Sequence, residues 1–260
     1  MKKLILCLTG IILCNGLFSQ ENPGKNYWTS GTAFTVQKHR LEAGLFTLSG
    51  YGITDKIELQ AHPLMVFLMP QVKVKVGWGG RSGFQLATEH GILYPSFFMK
   101  TVAMKGTGGL ISPELAIPQM LAVTNRALIS VKPLPAVLLT ASAGITFSVN
   151  SASSDHRSTI DMPIIYPRLA SFYSNPEFEL GIDFRGKFSD RYGWLFSVEN
   201  FFLAGTPYNY FFENKGVMAY NSKKESLRIE AGYKLCYGKY PDGNRWHLLP
   251  DINLIFGFGR

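Results

Sequence analysis

The chain has 260 residues, of which 46% are hydrophobic, 17% are charged and 13% are aromatic, and its formal net charge is +8. This composition excludes an intrinsically disordered chain, which needs low hydrophobicity and high charge. It also excludes a collagen, a coiled coil and a disulfide-rich miniprotein. After the first twenty residues, no apolar run approaches the roughly 18 residues of a membrane-spanning helix. A β-rich globular protein or a membrane β-barrel remains.

Residues 1–19 have the three-part organisation of a secretory signal peptide. Two lysines follow the initiator methionine, residues 4–13 are mostly apolar, and the small Ser19 precedes a cleavage point. We therefore expect export and cleavage. Residues 20–260 should then form one domain, because no linker, charge block or low-complexity segment divides them.

The body of the chain alternates apolar and polar residues with a period of two, which indicates strands with one apolar and one polar face. In residues 71–78, for example, Val74 and Val76 fall on one face while Lys73 and Lys75 fall on the other. The same pattern occupies residues 56–61, 136–149, 177–188, 227–236 and 251–258.

Two further features favour a membrane barrel over a soluble β-sandwich, which also alternates. The predicted strands run to roughly 8–14 residues, longer than the roughly 5–6 of soluble sheets and close to the roughly 9–11 that cross lipid. Full charges collect on one face and aromatic residues on the other, as lumen and lipid require in outer-membrane barrels. The sequence therefore predicts an all-β fold, a transmembrane antiparallel up-and-down β-barrel in the bacterial outer membrane.

Short turns and longer connections alternate along the chain, as periplasmic turns and outer loops do in such barrels. About 12 strands result, and 10–14 stay open because residues 208–220 alternate poorly. The predicted strands are 31–37, 40–51, 56–62, 70–78, 83–98, 119–132, 136–149, 177–188, 193–202, 208–220, 226–237 and 251–258. The largest outer loops are expected at residues 99–118, 150–176 and 238–250, with both chain ends on the periplasmic side.

Three stretches near the start carry a hairpin signature: Gly31-Thr-Ala-Phe-Thr-Val36, Arg40-Leu-Glu-Ala-Gly-Leu-Phe46 and Tyr51-Gly-Ile-Thr-Asp-Lys-Ile-Glu-Leu59. Together they resemble the opening of small, largely uncharacterised bacterial outer-membrane β-barrel proteins. In that family a strand ends in a Tyr-Gly-(Ile/Leu)-Thr-Asp-(Lys/Arg) turn and the next strand follows at once. The match covers residues 31–78, and it implies the barrel fold but no chemistry.

The sequence offers little enzymatic chemistry. It lacks a Gly-x-Ser-x-Gly motif, a phosphate-binding loop and a His-Glu-x-x-His motif, and its five histidines show no metal-ligand spacing. Asp155-His156-Arg157-Ser158 supplies an acid, an imidazole and a hydroxyl, although neighbours in sequence seldom form a triad. These residues support a weak alternative, a membrane-embedded hydrolase. We expect no enzyme activity, no cofactor and no metal.

The excess of basic over acidic residues does not indicate nucleic-acid binding. Nucleic-acid binders cluster lysines and arginines on one face, whereas here they alternate with apolar residues and are mixed with acids. The expected surroundings are outer-membrane lipid.

The polar faces of the predicted strands give the lumen a nearly balanced set of acids and bases. The candidate lumen and selectivity residues are Lys73, Lys75, Arg185, Lys187, Arg228, Lys234, Glu58, Glu179, Asp183, Glu230 and Asp251. Such residues orient charged solutes in a pore, or they pair across the lumen and fill it.

An open lumen and a lumen filled by paired charges imply two different functions. The leading hypothesis is a narrow passive channel or transporter for small polar or anionic solutes. The alternative is a non-transporting barrel, acting as a scaffold, an adhesin or a subunit of an envelope complex. Its protein partner would bind the outer loops at residues 99–118 and 150–176.

Two local basic pairs predict a modest preference for anions. Lys73 and Lys75 share one strand, and Arg185 and Lys187 lie near the end of another. Their field should raise the local concentration of small carboxylated or phosphorylated solutes. Glu58, on the neighbouring strand, would cancel part of this field if it paired with either lysine.

Overall fold

The computed structural model of the chain describes residues 28–80, 83–106, 111–155, 157, 168–240 and 243–259. These residues form a closed barrel of twelve strands, each antiparallel to its neighbours and ordered as in the sequence. The strands are β1 (Leu41–Gly44), β2 (Ser49–Gly52), β3 (Ile57–Ala61), β4 (Gln71–Gly79), β5 (Phe84–Leu93), β6 (Met120–Leu134), β7 (Val137–Asn150), β8 (Glu177–Lys187), β9 (Tyr192–Leu203), β10 (Tyr210–Asn221), β11 (Leu227–Tyr240) and β12 (Gly243–Phe258). The predicted all-β barrel and its strand number are confirmed. The expected signal peptide lies outside the described residues.

The longest connections lie at one end of the barrel, called the loop end: they join β3 to β4, β5 to β6 and β7 to β8. The short turn at residues 45–48 lies at the same end. The opposite end, called the turn end, carries tight connections such as residues 188–191 and 222–226.

Three predictions of strand position were wrong. Residues 31–37 are not part of the wall but lie inside the barrel, and residues 40–51 form two short strands joined by a turn. Residues 238–250, expected as an outer loop, instead complete β11 and begin β12. The first error has a physical cause. Residues 31–37 were placed in the wall from the succession of strands and turns, and that succession does not distinguish a wall strand from an extended segment inside the lumen, where Ala33 and Val36 are buried.

The wall side chains alternate between the outside and the lumen in the predicted register. On β4, Val72 and Trp78 are exposed, whereas Lys75 has no exposed surface. The exposed apolar coat continues around the barrel and includes Leu59, Phe84, Ile92, Leu121, Val123, Ile129, Phe147, Val149, Phe178, Leu180, Ile182, Phe184, Phe196, Ile252 and Phe256. The outer surface is therefore apolar and the inner surface polar.

Aromatic side chains form a row near each end of this coat. Near the loop end, the ring of Tyr237 lies 6.2 Å from that of Tyr210 and 4.7 Å from that of Trp246. Near the turn end, the rings of Tyr192 and Tyr220 are 5.5 Å apart. Tyr210 and Tyr220 lie about 33 Å apart along β10, at roughly 3.3 Å per residue. A strand tilt of about 40° turns this distance into a belt about 25 Å tall, which is the height of the lipid-facing band of outer-membrane barrels.

Loop segments cover the loop end of the lumen. Helix α1 (Ser96–Val102) follows β5, where the sequence predicted a strand up to residue 98, and a 3-10 helix spans Ala170–Phe172. Their apolar side chains meet in one buried cluster, called the outer cap, which contains Met65, Met69, Leu93, Phe98, Met99, Ala103, Ile111, Met120, Ala122, Leu169 and Phe172. Among the described residues, no helix is long and apolar enough to cross a membrane.

Candidate functional site

Residues 28–38, called the inner plug, run through the lumen in its turn-end half. Ala33 and Val36 have no exposed surface. The N–H of Ala33 donates to Ser130 Oγ on β6 at 2.9 Å, and the N–H of Val36 donates to Glu58 Oε2 on β3 at 2.9 Å. The plug is therefore hydrogen-bonded to two strands of the wall that are separated by β4 and β5.

Lys75 on β4 is at the centre of the contacts that hold the plug. Its Nζ donates to the carbonyl oxygens of Thr29 and Phe34, at 3.2 Å each. The same atom lies 3.4 Å from Glu58 Oε2 and 3.7 Å from Glu89 Oε1. A buried ammonium is stable only when it is paired and hydrogen-bonded, so this lysine ties two plug carbonyls to two carboxylates of the wall.

The first residues of the plug bind the turn-end rim. The backbone N–H and the hydroxyl of Thr29 donate to Glu42 Oε2 at 3.1 and 3.0 Å. The Arg40 guanidinium stacks over Trp28, 5.4 Å from the ring centroid, and pairs with Glu42 at 3.6 Å. Arg185 donates to the Trp28 carbonyl at 3.5 Å. The contacts in this region are therefore mostly polar or cation–π.

Glycine allows the plug backbone to lie directly against the wall. A Cβ at Gly52 would stand 2.1 Å from the carbonyl oxygen of Gln37, closer than any real Cβ contact. Lys38 forms an isolated bridge with the same glycine. Gly52 belongs to the Tyr-Gly hairpin signature, so its role here is to leave room for the plug.

Ion pairs fill much of the lumen next to the plug. Arg126 bridges Glu179 at 2.8 Å and Glu199 at 3.0 Å, and Lys215 pairs with Asp251 at 2.7 Å. Further pairs join Arg185 to Asp183 (3.4 Å), Arg228 to Glu230 (2.8 Å) and Lys234 to Glu213. The lumen is thus a network of compensated charges.

The plug borders three cavities among these side chains. The central cavity measures about 220 Å³ and is lined by Trp28, Ser30, Thr47, Asp183, Arg185, Leu195, Ser197, Glu199, Glu213, Lys215, Arg228, Glu230, Lys234, Asn253 and Ile255. The side cavity measures about 150 Å³, and the turn-end cavity about 480 Å³. Trp28 lines both the central and the turn-end cavity, and Ser30 lines both the central and the side cavity. The plug therefore separates spaces that its removal would join.

The loop-end half is closed by different chemistry. Arg168 pairs with Glu213 and lies between the rings of Phe201 and Phe211, 4.7 and 4.6 Å from their centroids. This stacked cation sits beside the apolar outer cap. The described residues thus cover the lumen at both ends.

The structure brings most of the predicted lumen residues into pairs with one another. Lys75 meets Glu58, which is the pairing expected to cancel part of its field. Lys73 lines the side cavity, and Lys187 lines the turn-end cavity. The remaining candidates, Arg185, Arg228, Lys234, Glu179, Asp183, Glu230 and Asp251, join the pairs described above.

Sequence reasoning missed several residues of this network. Glu213 and Lys215 lie on β10, whose inward row also contains Phe211 and Val217. This mixture hides the alternation that would have identified them. Arg168 follows no strand pattern, since it belongs to a loop.

The described residues of the weak hydrolase alternative, Asp155 and Arg157, do not form a catalytic site. Arg157 pairs with Asp155 at 2.6 Å, and this hydrogen-bonded carboxylate raises the pKa of the Arg157 guanidinium. His156 and Ser158 lie outside the described residues. Among the residues that are described, no group of three or more His, Cys, Asp or Glu side chains is placed to hold a metal ion.

No protein-family model matches the chain, and no curated protein sequence matches it. Among solved structures it is similar to the outer membrane channel DcaP of Acinetobacter baumannii, with a TM-score of 0.39 and 10% identity over 81% of this chain. It is also similar to a bacterial polysaccharide outer membrane secretin (TM-score 0.43, 11% identity, 82% of this chain and 68% of that chain). A third is OccK11 of Pseudomonas aeruginosa (TM-score 0.39, 9% identity, 81% of this chain and 57% of that chain). The chain spans 61% of the length of the DcaP structure.

Proposed function

We propose that the protein is a bacterial outer-membrane β-barrel that forms a narrow, gated channel for small polar or anionic solutes. Residues 1–19 would act as the cleaved export signal. The observation that carries the proposal is the charged lumen, in which the inner plug separates three polar cavities. A lumen that served only as packing would resemble other close-packed protein interiors, which contain few voids larger than a water molecule.

The outer surface supports the membrane location. The apolar coat lies between two rows of aromatic side chains, which in outer-membrane barrels sit at the two lipid–water interfaces. Polar side chains on this coat are satisfied within the protein. Asn125 contacts His90 at 2.8 Å, and Asn214 accepts from the Tyr233 hydroxyl at 3.0 Å. Lipid cannot supply such partners.

The plug supports gating. Carbonyl, hydroxyl and carboxylate groups hold it, and water can replace each of these contacts when the plug moves. The net contribution of one neutral hydrogen bond is only about 0.5–1.5 kcal/mol, and that of one to a charged group about 1.5–3 kcal/mol. Its displacement would connect the central and turn-end cavities and open the lumen from the turn end.

The turn-end cavity supports a preference for anions. Its charged lining comprises Lys187, Arg191 and Lys223 against Asp190 and Glu225, together with Arg185 and Arg228, which are paired with Asp183 and Glu230. A solute entering from this end meets an excess of positive charge, and low-dielectric walls strengthen that field. Salt should weaken the preference, because the Debye length falls to about 3 Å at 1 M ionic strength.

Single-channel recording on purified, refolded protein tests the proposal. The wild type should show unitary openings, with a reversal potential that leans toward anions across a salt gradient. Lys187→Glu with Arg191→Glu should shift that potential toward cations, whereas Lys239→Glu at the loop end should change it little. Absence of openings over a wide voltage range would contradict the channel, and an unchanged reversal potential would contradict the anion preference.

A second candidate is the non-transporting barrel, favoured by the outer cap. Eleven buried residues close the loop end there, and a closed loop end suits a barrel that does not conduct. Binding of an envelope protein to the loops at residues 99–118 and 150–176, in a barrel that never conducts, would support it.

A further inference from the structure

The barrel wall is uneven in height. β1 and β2 have four residues each and β3 has five, whereas β12 has 16. Pairing between β1 and β12 ends at Gly44 and Ile255, with a last hydrogen bond from Leu45 N–H to the Leu254 carbonyl at 2.8 Å. In the described part of the chain, only β11 pairs with the rest of β12 up to Gly243.

A proline marks this part of β12 as an edge. Gly257 N–H donates toward the β11 side, to Ser226, while the Leu254 carbonyl accepts from the β1 side. Even-numbered residues of β12 therefore direct their backbone groups away from β11, and Pro250 is one of them. Proline is confined to edges of sheets because it has no N–H to donate. Pro250 is thus a residue type suited to a strand edge with a gap beside it.

The gap lies at the depth of the membrane. Trp246 belongs to the loop-end aromatic row, 4.7 Å from Tyr237, so the stretch between Trp246 and Leu254 lies within the apolar belt. Lipid tails cannot hydrogen-bond an open strand edge. A polar head group entering the gap, together with its water, can do so.

We call the gap beside β12 the lateral notch. It is bounded by residues 244–252 of β12, the turn 45–48 and the loop 62–70. Apolar side chains surround it. Phe67 is 84% exposed and Leu248 is 70% exposed. Phe46, Leu64 and Leu68 are also exposed. This rim offers acyl-chain contacts on the outside of the barrel.

A charged cavity lies directly behind the notch. Thr47 and Asn253 both line the central cavity. Asn253 fixes the turn, since its amide donates to Thr47 Oγ1 at 3.1 Å and its carbonyl accepts from Phe46 N–H at 3.2 Å. His62 of the loop hydrogen-bonds the Phe46 backbone. The turn is thus a short barrier between lipid and lumen.

The lining of the central cavity suits a zwitterion. Its bases and acids are equal in number: Arg185, Lys215, Arg228 and Lys234 against Asp183, Glu199, Glu213 and Glu230. A single cation or anion would disturb this balance, whereas a head group carrying both charges would preserve it.

From these observations we propose that the lateral notch is a portal for a single-chain amphiphile with a zwitterionic head group. The head enters the central cavity when the turn 45–48 swings away from Asn253, and the acyl chain stays in the outer leaflet against the apolar rim. This route is independent of axial conduction.

The test uses lysophosphatidylcholine with a photoreactive group in its acyl chain, added to the exported protein, without residues 1–19, in lipid nanodiscs. Crosslinks should concentrate on Phe46, Phe67 and Leu248, above the level at Phe147 and Leu180, which are exposed in the loop-end half of the opposite wall. A photoreactive fatty acid should label the notch less strongly, because it lacks the positive half of the head group.

A disulfide lock supplies the control. Leu45→Cys with Leu254→Cys, in a Cys236→Ser background, should reduce notch labelling at least about fivefold when oxidised and restore it on reduction. The matched pair Ile145→Cys with Phe178→Cys joins β7 to β8 and should leave notch labelling unchanged. Labelling equal to bulk lipid, or labelling indifferent to the lock, would overturn the portal. Currents recorded from the same protein preparation in planar bilayers show whether the channel fails as well, so failure of the portal is distinguished from failure of the channel.

Discussion

The two ends of the lumen are closed by opposite kinds of chemistry. At the turn end, the inner plug is held by hydrogen bonds and by the buried Lys75 ammonium. At the loop end, the outer cap is a cluster of apolar side chains that includes Met99 and Leu169. Water can replace the first set of contacts one by one, whereas exposing the second costs about 25 cal/mol for each Å² of apolar surface. We therefore expect the plug to move more readily than the cap, and axial conduction also requires the loops around the outer cap to part.

The largest expected loss of stability follows from replacing Lys75, which contacts the inner plug and not the outer cap. Lys75→Met leaves Glu58 and Glu89 buried without their cation, so the free energy of unfolding should fall by about 3–5 kcal/mol. Lys73→Met, one position along the same inward row, should change it by about 0–1 kcal/mol. Urea unfolding in detergent measures both. Equal losses would show that Lys75 does not hold the plug to the wall.

The comparison also requires that the wall face lipid as described. Val74→Arg places a charge on the lipid side near mid-strand and should destabilise the barrel by about 2–4 kcal/mol. Lys73→Arg keeps its charge in the lumen and should be nearly silent. The same unfolding experiment in lipid vesicles checks this, and similar damage from both changes would refute the register.

A cavity in the outer cap should weaken the loop end alone. Met99→Ala removes a fully buried side chain and should cost about 2–3 kcal/mol of stability. Protease cleavage within the loops should become faster, while labelling of a cysteine at Ser30 from the turn end stays at the wild-type rate. Faster labelling at residue 30 would mean that the two closures move together.

The largest change in gating is expected at Gly52. Gly52→Ala puts a methyl group where the Gln37 carbonyl lies, so the plug cannot seat, and the overpacking should cost about 1–3 kcal/mol of stability. Openings should become more frequent and longer. Gly144→Ala, whose added Cβ would meet its nearest neighbour at 3.4 Å, is the matched control and should gate normally.

The sequence predicted the wall well and the plug not at all. Alternation identified the lipid and lumen faces of β4 and β8, because lipid and polar lumen impose opposite requirements on successive residues. Residues 31–37 were misplaced because the succession of strands and turns does not distinguish a wall strand from an extended segment inside the lumen. Pro250 was read as the end of a loop, but at a sheet edge it fits within a strand. Which charges pair across the lumen depends on contacts between distant strands, and period-two patterns do not contain that information.

The central claim, that the inner plug gates the lumen, is tested most directly by locking the plug in place. Ala33→Cys with Ser130→Cys, in a Cys236→Ser background, replaces the 2.9 Å hydrogen bond between these positions with a reducible covalent bond. Single-channel recordings should show no openings while the bond is oxidised, and wild-type openings after reduction in the same bilayer. Openings that persist with the plug covalently fixed would contradict the account.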